Sequence, residues 1–248
     1  MAALAVLYDI HGNLPALEAV LEDAAGADGF LLGGDYALFG PFPAETVARL
    51  RELDGARWIR GNVDRWTAHP DQAPDDDLIK DAIEACRSAM DARVVDELGS
   101  LDEQLVDGDT RYCHASPISD MRSFLPEPVV DEDELLEGVT ERRVVFGHTH
   151  LQFERTRPDG IQLVNPGSVG MPMDGDIRAA YAIFDEDGSV RLRRVQYDNE
   201  AAAAATHQRF GESACDPHGA ATQDGSAVRR LADGFYQLGG FPPNAINV

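Results

Sequence analysis

Lysine is almost missing from this 248-residue chain: Lys80 is the only one, and every other fixed cation is arginine. That bias fits a GC-rich genome or a salt-adapted host and carries no function by itself. Positive charge as a whole is scarce, with 21 Lys and Arg against 44 Asp and Glu. The resulting net charge of −23 argues against nonspecific binding to nucleic acid or to an anionic membrane. Cysteine is sparse too: Cys86, Cys113 and Cys215 stand at irregular spacing, which suggests no disulfide framework and a reducing compartment. No apolar stretch is long enough to span a bilayer. The opening segment has no basic n-region and meets Asp9 almost at once, so it reads as a first strand rather than a signal peptide. These absences leave a cytoplasmic enzyme as the default. At 44% hydrophobic residues the chain can bury a full core. A single domain is expected over 1–248, with a core at 1–198 and a helical extension and tail at 199–248.

The first third alternates between strand and helix. After the apolar run Leu4 to Tyr8, Leu14, Leu17, Leu21 and Ala24 recur at helical spacing, with Pro15 in the first turn. A strand at 30–32 follows, then a helix opened by Pro43 that carries Val47, Leu50 and Leu53, then a third strand at 56–60. Such alternation predicts a parallel sheet with crossovers. A helix is expected over 75–98, with an acidic first turn that suits the macrodipole. From Thr110 the texture turns to strands, at 110–113, 143–146, 152–156, 161–164, 180–184 and 190–197. Turns at 157–160 and 185–188 join the last two pairs. This half is expected to be more antiparallel, giving two packed sheets with helices outside. The alanine run at 199–207 predicts a helix by propensity, and 239–243 reads as irregular.

Polar residues gather where the apolar runs end. Asp9-Ile10-His11, Gly34-Asp35, Gly61-Asn62 and Gly147-His148-Thr149-His150 each follow a strand-like run, and His114 follows another. Ligands of open α/β sheets bind outside the carboxyl ends of strands. Carboxylates, an amide and imidazoles are the donors that hard to borderline divalent metals prefer. Asp9 with His11, and His148 with His150, are two apart, and in extended backbone each pair would project to one side. Cys113 should by the same rule face away from whatever His114 binds. Each fragment alone is an ordinary coincidence; the four clusters in order, each at a strand end, make the metal reading.

The ordered set Asp-x-His, Gly-Asp, Gly-Asn, His and Gly-His-x-His resembles that of the calcineurin-like metallophosphoesterases, nearest to their small bacterial and archaeal phosphodiesterase branch. Asn165-Pro166-Gly167-Ser168-Val169-Gly170 is similar to the segment that follows the last ligands there. The likeness runs roughly from Leu4 to Phe184. It implies an α/β fold, a four-layer α/β/β/α sandwich of two mixed sheets flanked by helices. It also implies a dinuclear site in which Asp9, His11 and His150 bind one metal, Asn62, His114 and His148 the second, and Asp35 bridges them. Catalysis would run through a bridging hydroxide held by Asp9, Asp35, Asn62, His114 and His148, with no protein nucleophile. Two divalent ions are implied, manganese first, with iron, zinc, nickel or cobalt as alternatives. The implied partner is a small phosphorylated substrate, not a membrane or nucleic acid bound nonspecifically; oligomeric state stays open.

The match departs from many family members at one position. Where they carry Gly-Asn-His, this chain has Gly61-Asn62-Val63, so the histidine thought to protonate the leaving group is absent. General acid help is typically worth about 10²–10⁴-fold. Its loss favours good leaving groups, and with them a phosphodiester or phosphoanhydride of a small nucleotide-like molecule. A phosphomonoesterase, or a scaffold that keeps the fold without turnover, is the alternative. Asp64 reads as a loop anchor or as a group orienting a ligand histidine. Arg65 is a candidate substrate contact, with a solvated side chain as the commoner case. Asp174-Gly175-Asp176 with Arg178 is either a substrate-side loop or an acidic turn. His69, His207 and His218 read as surface histidines, and Ser116 and Ser168 have no base at usable spacing. Phe235, Tyr236 and Phe241 could form a subunit contact, though folding back onto the body is the expectation.

Overall fold

A computed structural model describes residues 3–210. Cys215, His218, Phe235, Tyr236, Phe241 and the irregular segment at 239–243 lie outside those residues. The described chain forms β1 (Ala3–Leu7), α1 (Leu14–Asp23), β2 (Gly29–Leu32), α2 (Pro43–Arg51), β3 (Arg57–Trp58), α3 (Asn62–Ala68), α4 (Asp77–Ala89) and α5 (Ala92–Gly99). It continues through β4 (Gln104–Asp107), β5 (Thr110–Cys113), α6 (Glu132–Leu135), β6 (Arg143–Val145), β7 (Phe153–Thr156), β8 (Gln162–Asn165), β9 (Ala179–Asp185), β10 (Val190–Val195) and α7 (Asn199–Phe210).

Two five-stranded sheets result, with strand orders β10-β9-β1-β2-β3 and β4-β5-β6-β8-β7. Period-two alternation builds the layers. On β1, Ala5 and Leu7 face the helices with Leu17, Val20 and Leu21 of α1, while Val6 and Tyr8 point into the space between the sheets. There they meet Tyr112, Val145, Val164, Ala182 and Phe184. On the far face of the second sheet, Cys113, Val144 and Leu163 pack with Phe124, Leu135 and Phe146. Cys113 therefore points away from the strand edge that carries His114. Both described cysteines, Cys86 and Cys113, are buried. Among the described residues the fourth layer is thin, its helix α6 having four residues. No helix among the described residues is long and apolar enough to cross a membrane.

β1, β2 and β3 pair in parallel, as the alternation of the first third predicts, and antiparallel pairs predominate among the later strands: β9 with β1 and β10, β4 with β5, and β7 with β8. Both sheets are mixed, as the resemblance implies, since β5, β6 and β8 are parallel neighbours. Other expectations need correction. The helix expected over 75–98 is two helices, α4 and α5. Asp91 sits between them in extended backbone, and its carboxylate accepts the Arg93 N–H at 2.8 Å, a helix start that the continuous apolar period concealed. Three elements were not anticipated: α3, which begins at Asn62, the edge strand β4 and the short α6. The strands of 190–197 and 56–60 are shorter than expected, and α7 runs on to Phe210.

Candidate metal centre

The carboxyl ends of β1, β2, β3, β5 and β6 open onto one edge, and the loops that leave them interlock. Asp9 N–H donates to Gly34 O at 3.2 Å, and Gly147 N–H donates to His114 O at 2.7 Å. Ser168 follows β8; its hydroxyl donates to Asp9 O at 2.6 Å and accepts the Met171 N–H at 2.7 Å. Asn165 donates to Gly147 O and to the Thr149 hydroxyl, so the segment after β8 braces both loops.

Asp9, His11, Asp35, Asn62, His114, His148 and His150 come together in one cluster, each at most 1% exposed. The route differs from the extended pairs expected. Asp9, His11, Asp35, His148 and His150 all have left-handed backbone, with φ between 49° and 66°. Tight turns, rather than alternating strand geometry, aim the side chains inward. Non-glycine residues occupy that region at a cost, and they cluster at functional sites. Close approach by Gly61 is also required, since a Cβ there would meet Asp35 Oδ1 at 2.0 Å.

The donors face one another. His11 Nε2 and His150 Nε2 are 3.1 Å apart. Each ring's Nδ1 lies against a backbone carbonyl, Leu38 O at 3.0 Å and Met171 O at 2.6 Å respectively. A carbonyl only accepts, so both Nδ1 atoms carry the proton and both Nε2 atoms turn lone pairs toward the gap. His114 repeats the pattern, with Nδ1 donating to Gly33 O at 2.9 Å. Asn62 Oδ1 lies 2.9 Å from both His114 Nε2 and His148 Nδ1. Asp35 Oδ2 stands 3.3 Å from His114 Nε2 and 3.8 Å from His11 Nε2. Asp9 Oδ1 lies 3.6 Å from His150 Nε2 and 3.9 Å from His114 Nε2. Asp9 Oδ1 and Asp35 Oδ2 are buried with no hydrogen-bond partner among the described residues. Buried carboxylate oxygens without partners are costly, and converging lone pairs repel. Divalent cations satisfy both conditions, and the residues fit them. Two donor sets, Asp9/His11/His150 and Asp9/Asp35/His114, each fall within 4.8 Å.

Protons answer the same surplus of negative charge when no cation is bound. Burial alone would lower His114, but the negative charge of Asp35, together with that of Asp9, raises it to about 10. Burial and the His114 charge push His148 down to about 3. Burial raises Asp9 well above the usual carboxylate range, whereas the His114 charge holds Asp35 below it despite burial. His114 must surrender its proton to become a ligand. Uptake of manganese is therefore expected to release about one proton from His114, and apparent affinity is expected to climb as pH rises toward 10. Titration calorimetry in buffers of different ionisation enthalpy measures the release; a heat independent of buffer would contradict it.

Asp64 has the anchoring role. Fully inside α3's first turn, it accepts the backbone N–H groups of Asp35 at 2.8 Å, Tyr36 at 3.1 Å and Gly61 at 2.9 Å. Burial, then the neighbouring Asp35 charge, push it up to about 7. Val63 is fully buried among apolar core residues, and its N–H donates to Asp35 Oδ1 at 3.0 Å. Arg65 is partly exposed, and its guanidinium pairs with both oxygens of Asp120, at 2.6 and 2.9 Å. Arg178 pairs with Asp176 in the exposed loop, while Asp174 pairs with Arg194. His69 is exposed. Ser116 and Ser168 bond to backbone, as structural hydroxyls do. The carbonyls of Gly33, Leu38 and Met171, which orient three of the imidazoles, carried no signal in the sequence. Ser168 and Asn165 did, through the segment that contains them.

The decisive comparison is with a family model, the calcineurin-like phosphoesterase superfamily domain, which matches residues 3–189. The chain belongs to the calcineurin-like phosphoesterase superfamily. That places this phosphoesterase among metal-dependent hydrolases. Phosphodiesterase YfcE of Escherichia coli is 30% identical over 204 residues, 75% of this chain and 89% of YfcE. An uncharacterized protein of Methanocaldococcus jannaschii is 29% identical over 222 residues, covering 79% of this chain and 88% of that one. Among solved structures, a metallophosphoesterase from Sphaerobacter thermophilus superposes with a TM-score of 0.75 at 27% identity, covering 94% of this chain and 99% of its own.

Proposed function

We propose that this phosphoesterase hydrolyses phosphodiester or phosphoanhydride bonds of small nucleotide-like molecules at a dinuclear site. Asp9, His11 and His150 would hold one cation, and Asn62, His114 and His148 the other. The observation that carries the pairing is Asp35 Oδ2, without a hydrogen-bond partner and within 4 Å of an imidazole from each trio. Two divalent ions there would supply Lewis acidity toward the phosphoryl oxygens and activate water near neutral pH. Nitrogen and oxygen donors without thiolate suit manganese first, then iron, zinc, nickel or cobalt.

The remaining work falls to the chain. Leu38, Met171 and Gly33 fix the ring orientation of His11, His150 and His114, so each presents Nε2 inward. Asp64 holds the Asp35 and Gly61 turns together. Val63 offers no proton to a leaving group, which supports substrates whose leaving group departs unaided, in keeping with the phosphodiesterase named among the relatives. The sparse, irregularly spaced cysteines support a reducing, cytoplasmic setting.

With manganese bound, bis(p-nitrophenyl) phosphate is expected to be cleaved at least about tenfold faster than p-nitrophenyl phosphate, as the missing acid predicts. Steady-state rates on the two esters measure it. The reverse ratio would make the protein a monoesterase, and inertness toward both, with metal bound, would favour a scaffold.

A further inference from the structure

The donors of the centre are not all held in the same way. His11, His150 and His114 each give the Nδ1 proton to a main-chain carbonyl, which fixes the ring from close by. Asn62 has no such brace. Its Oδ1 lies 2.9 Å from both His114 Nε2 and His148 Nδ1, while its Nδ2 is buried without a hydrogen-bond partner among the described residues. Asn62 is the first residue of α3, so the placement of that helix decides where the amide oxygen stands.

Arg65 follows Asn62 by three residues and occupies a neighbouring position on the same helix face. Its guanidinium reaches across to the loop that leaves His114. Nε donates to Asp120 Oδ2 at 2.6 Å and Nη2 to Asp120 Oδ1 at 2.9 Å, the two-point geometry that fixes direction as well as distance. Nη1 donates to Gln72 Oε1 at 3.2 Å, which holds the guanidinium from another side.

The loop that receives it is stiff. Ser116 and Ser119 exchange backbone bonds at 2.9 and 3.3 Å, and the Ser119 hydroxyl accepts the N–H groups of Met121 and Arg122, each at 3.0 Å. Asp120 is thus set in a pinned turn. Ser123 then donates to Ala115 O at 3.0 Å, tying the far end of the loop back beside His114. Asp64 anchors α3 elsewhere, on Asp35, Tyr36 and Gly61. The Arg65 and Asp120 side chains are 19% and 22% exposed, and ion pairs open to solvent add little to overall stability. Joining the segment that carries Asn62 to the segment that carries His114 is the larger consequence of this one.

We propose that Arg65 and Asp120 are positioning residues, a clamp that sets the gap between Asn62 and His114 and with it the affinity of the second cation. The proposal rests on the dinuclear reading above. Its test is manganese titration of the metal-free protein by calorimetry, for the unaltered chain, Arg65→Ala, Asp120→Ala, the double variant and Arg65→Lys. Two ions are expected to bind the unaltered chain. Each alanine variant is expected to weaken one of them by about 10–100-fold and to leave the other within about twofold. The double variant should be no worse than either single one, because the pair acts as a unit. Arg65→Lys, which offers one point charge instead of a fork, should recover part of the loss. The denaturation midpoint of the metal-free protein should move by less than about 3 °C. Electron paramagnetic resonance at two manganese equivalents should shift from a spin-coupled pair toward isolated ions in the alanine variants. Two ions bound unchanged in both alanine variants overturn the clamp and leave the dinuclear reading intact. A single ion in the unaltered chain overturns both. Losses that multiply in the double variant, or a raised KM in Arg65→Ala with metal uptake unchanged, also overturn the clamp; the latter would make Arg65 a substrate contact. Should Arg65→Ala fail to fold, Asp120→Ala removes the same pair from the other end.

Discussion

Asp35→Asn is expected to lower metal-dependent phosphodiester hydrolysis by about 10³-fold or more, through loss of several kcal/mol of charge stabilisation. Asparagine has the same shape, and its oxygen can still accept the Val63 N–H that Asp35 Oδ1 accepts at 3.0 Å. What disappears is the charge on Oδ2, the atom that stands between His114 and His11 without a hydrogen-bond partner. The loop itself stays anchored, because Asp64 holds the backbone N–H of residue 35 rather than its side chain. Folding should therefore survive while metal content and kcat/KM collapse together. Elemental analysis and steady-state rates on bis(p-nitrophenyl) phosphate check this. Hydrolysis that persists unaltered would assign the measured activity to another site or to a contaminant.

The second large effect belongs to Asp64, which touches no donor atom of the cluster. Asp64→Ala strands three buried N–H groups, those of Asp35, Tyr36 and Gly61, in one step. An unsatisfied buried donor costs about 1–3 kcal/mol, so a destabilisation of about 3 kcal/mol or more is expected, read as a fall in denaturation midpoint. Metal affinity should drop as well, by about 10–100-fold, since the turns carrying Asp35 and Asn62 lose their common anchor. Asp64→Asn separates the contributions. One amide oxygen can retain part of the bonding, while the amide nitrogen meets another donor, so an intermediate loss is expected. A Tm unchanged in Asp64→Ala would show that the N–H groups find other acceptors.

Residue type and order were enough to name the family and to nominate seven donors, because divalent cations demand particular atoms and strand ends are where such atoms are useful. The unbroken apolar run from Leu4 to Tyr8 likewise announced a buried strand. Tertiary structure alone decided how the donors converge. The left-handed turns at Asp9, His11, Asp35, His148 and His150 replace the extended pairs that a period-two reading suggests. The carbonyls of Leu38, Met171 and Gly33, which set three imidazole tautomers, belong to the main chain, and every residue type supplies the same carbonyl. Nor could Asp64 be assigned its three N–H partners, or Arg65 its Asp120, before folding brought distant segments together. Side-chain chemistry is written in the sequence residue by residue. The direction in which a backbone amide, carbonyl or ring points depends on packing between segments far apart in the chain, and the fold alone supplies it.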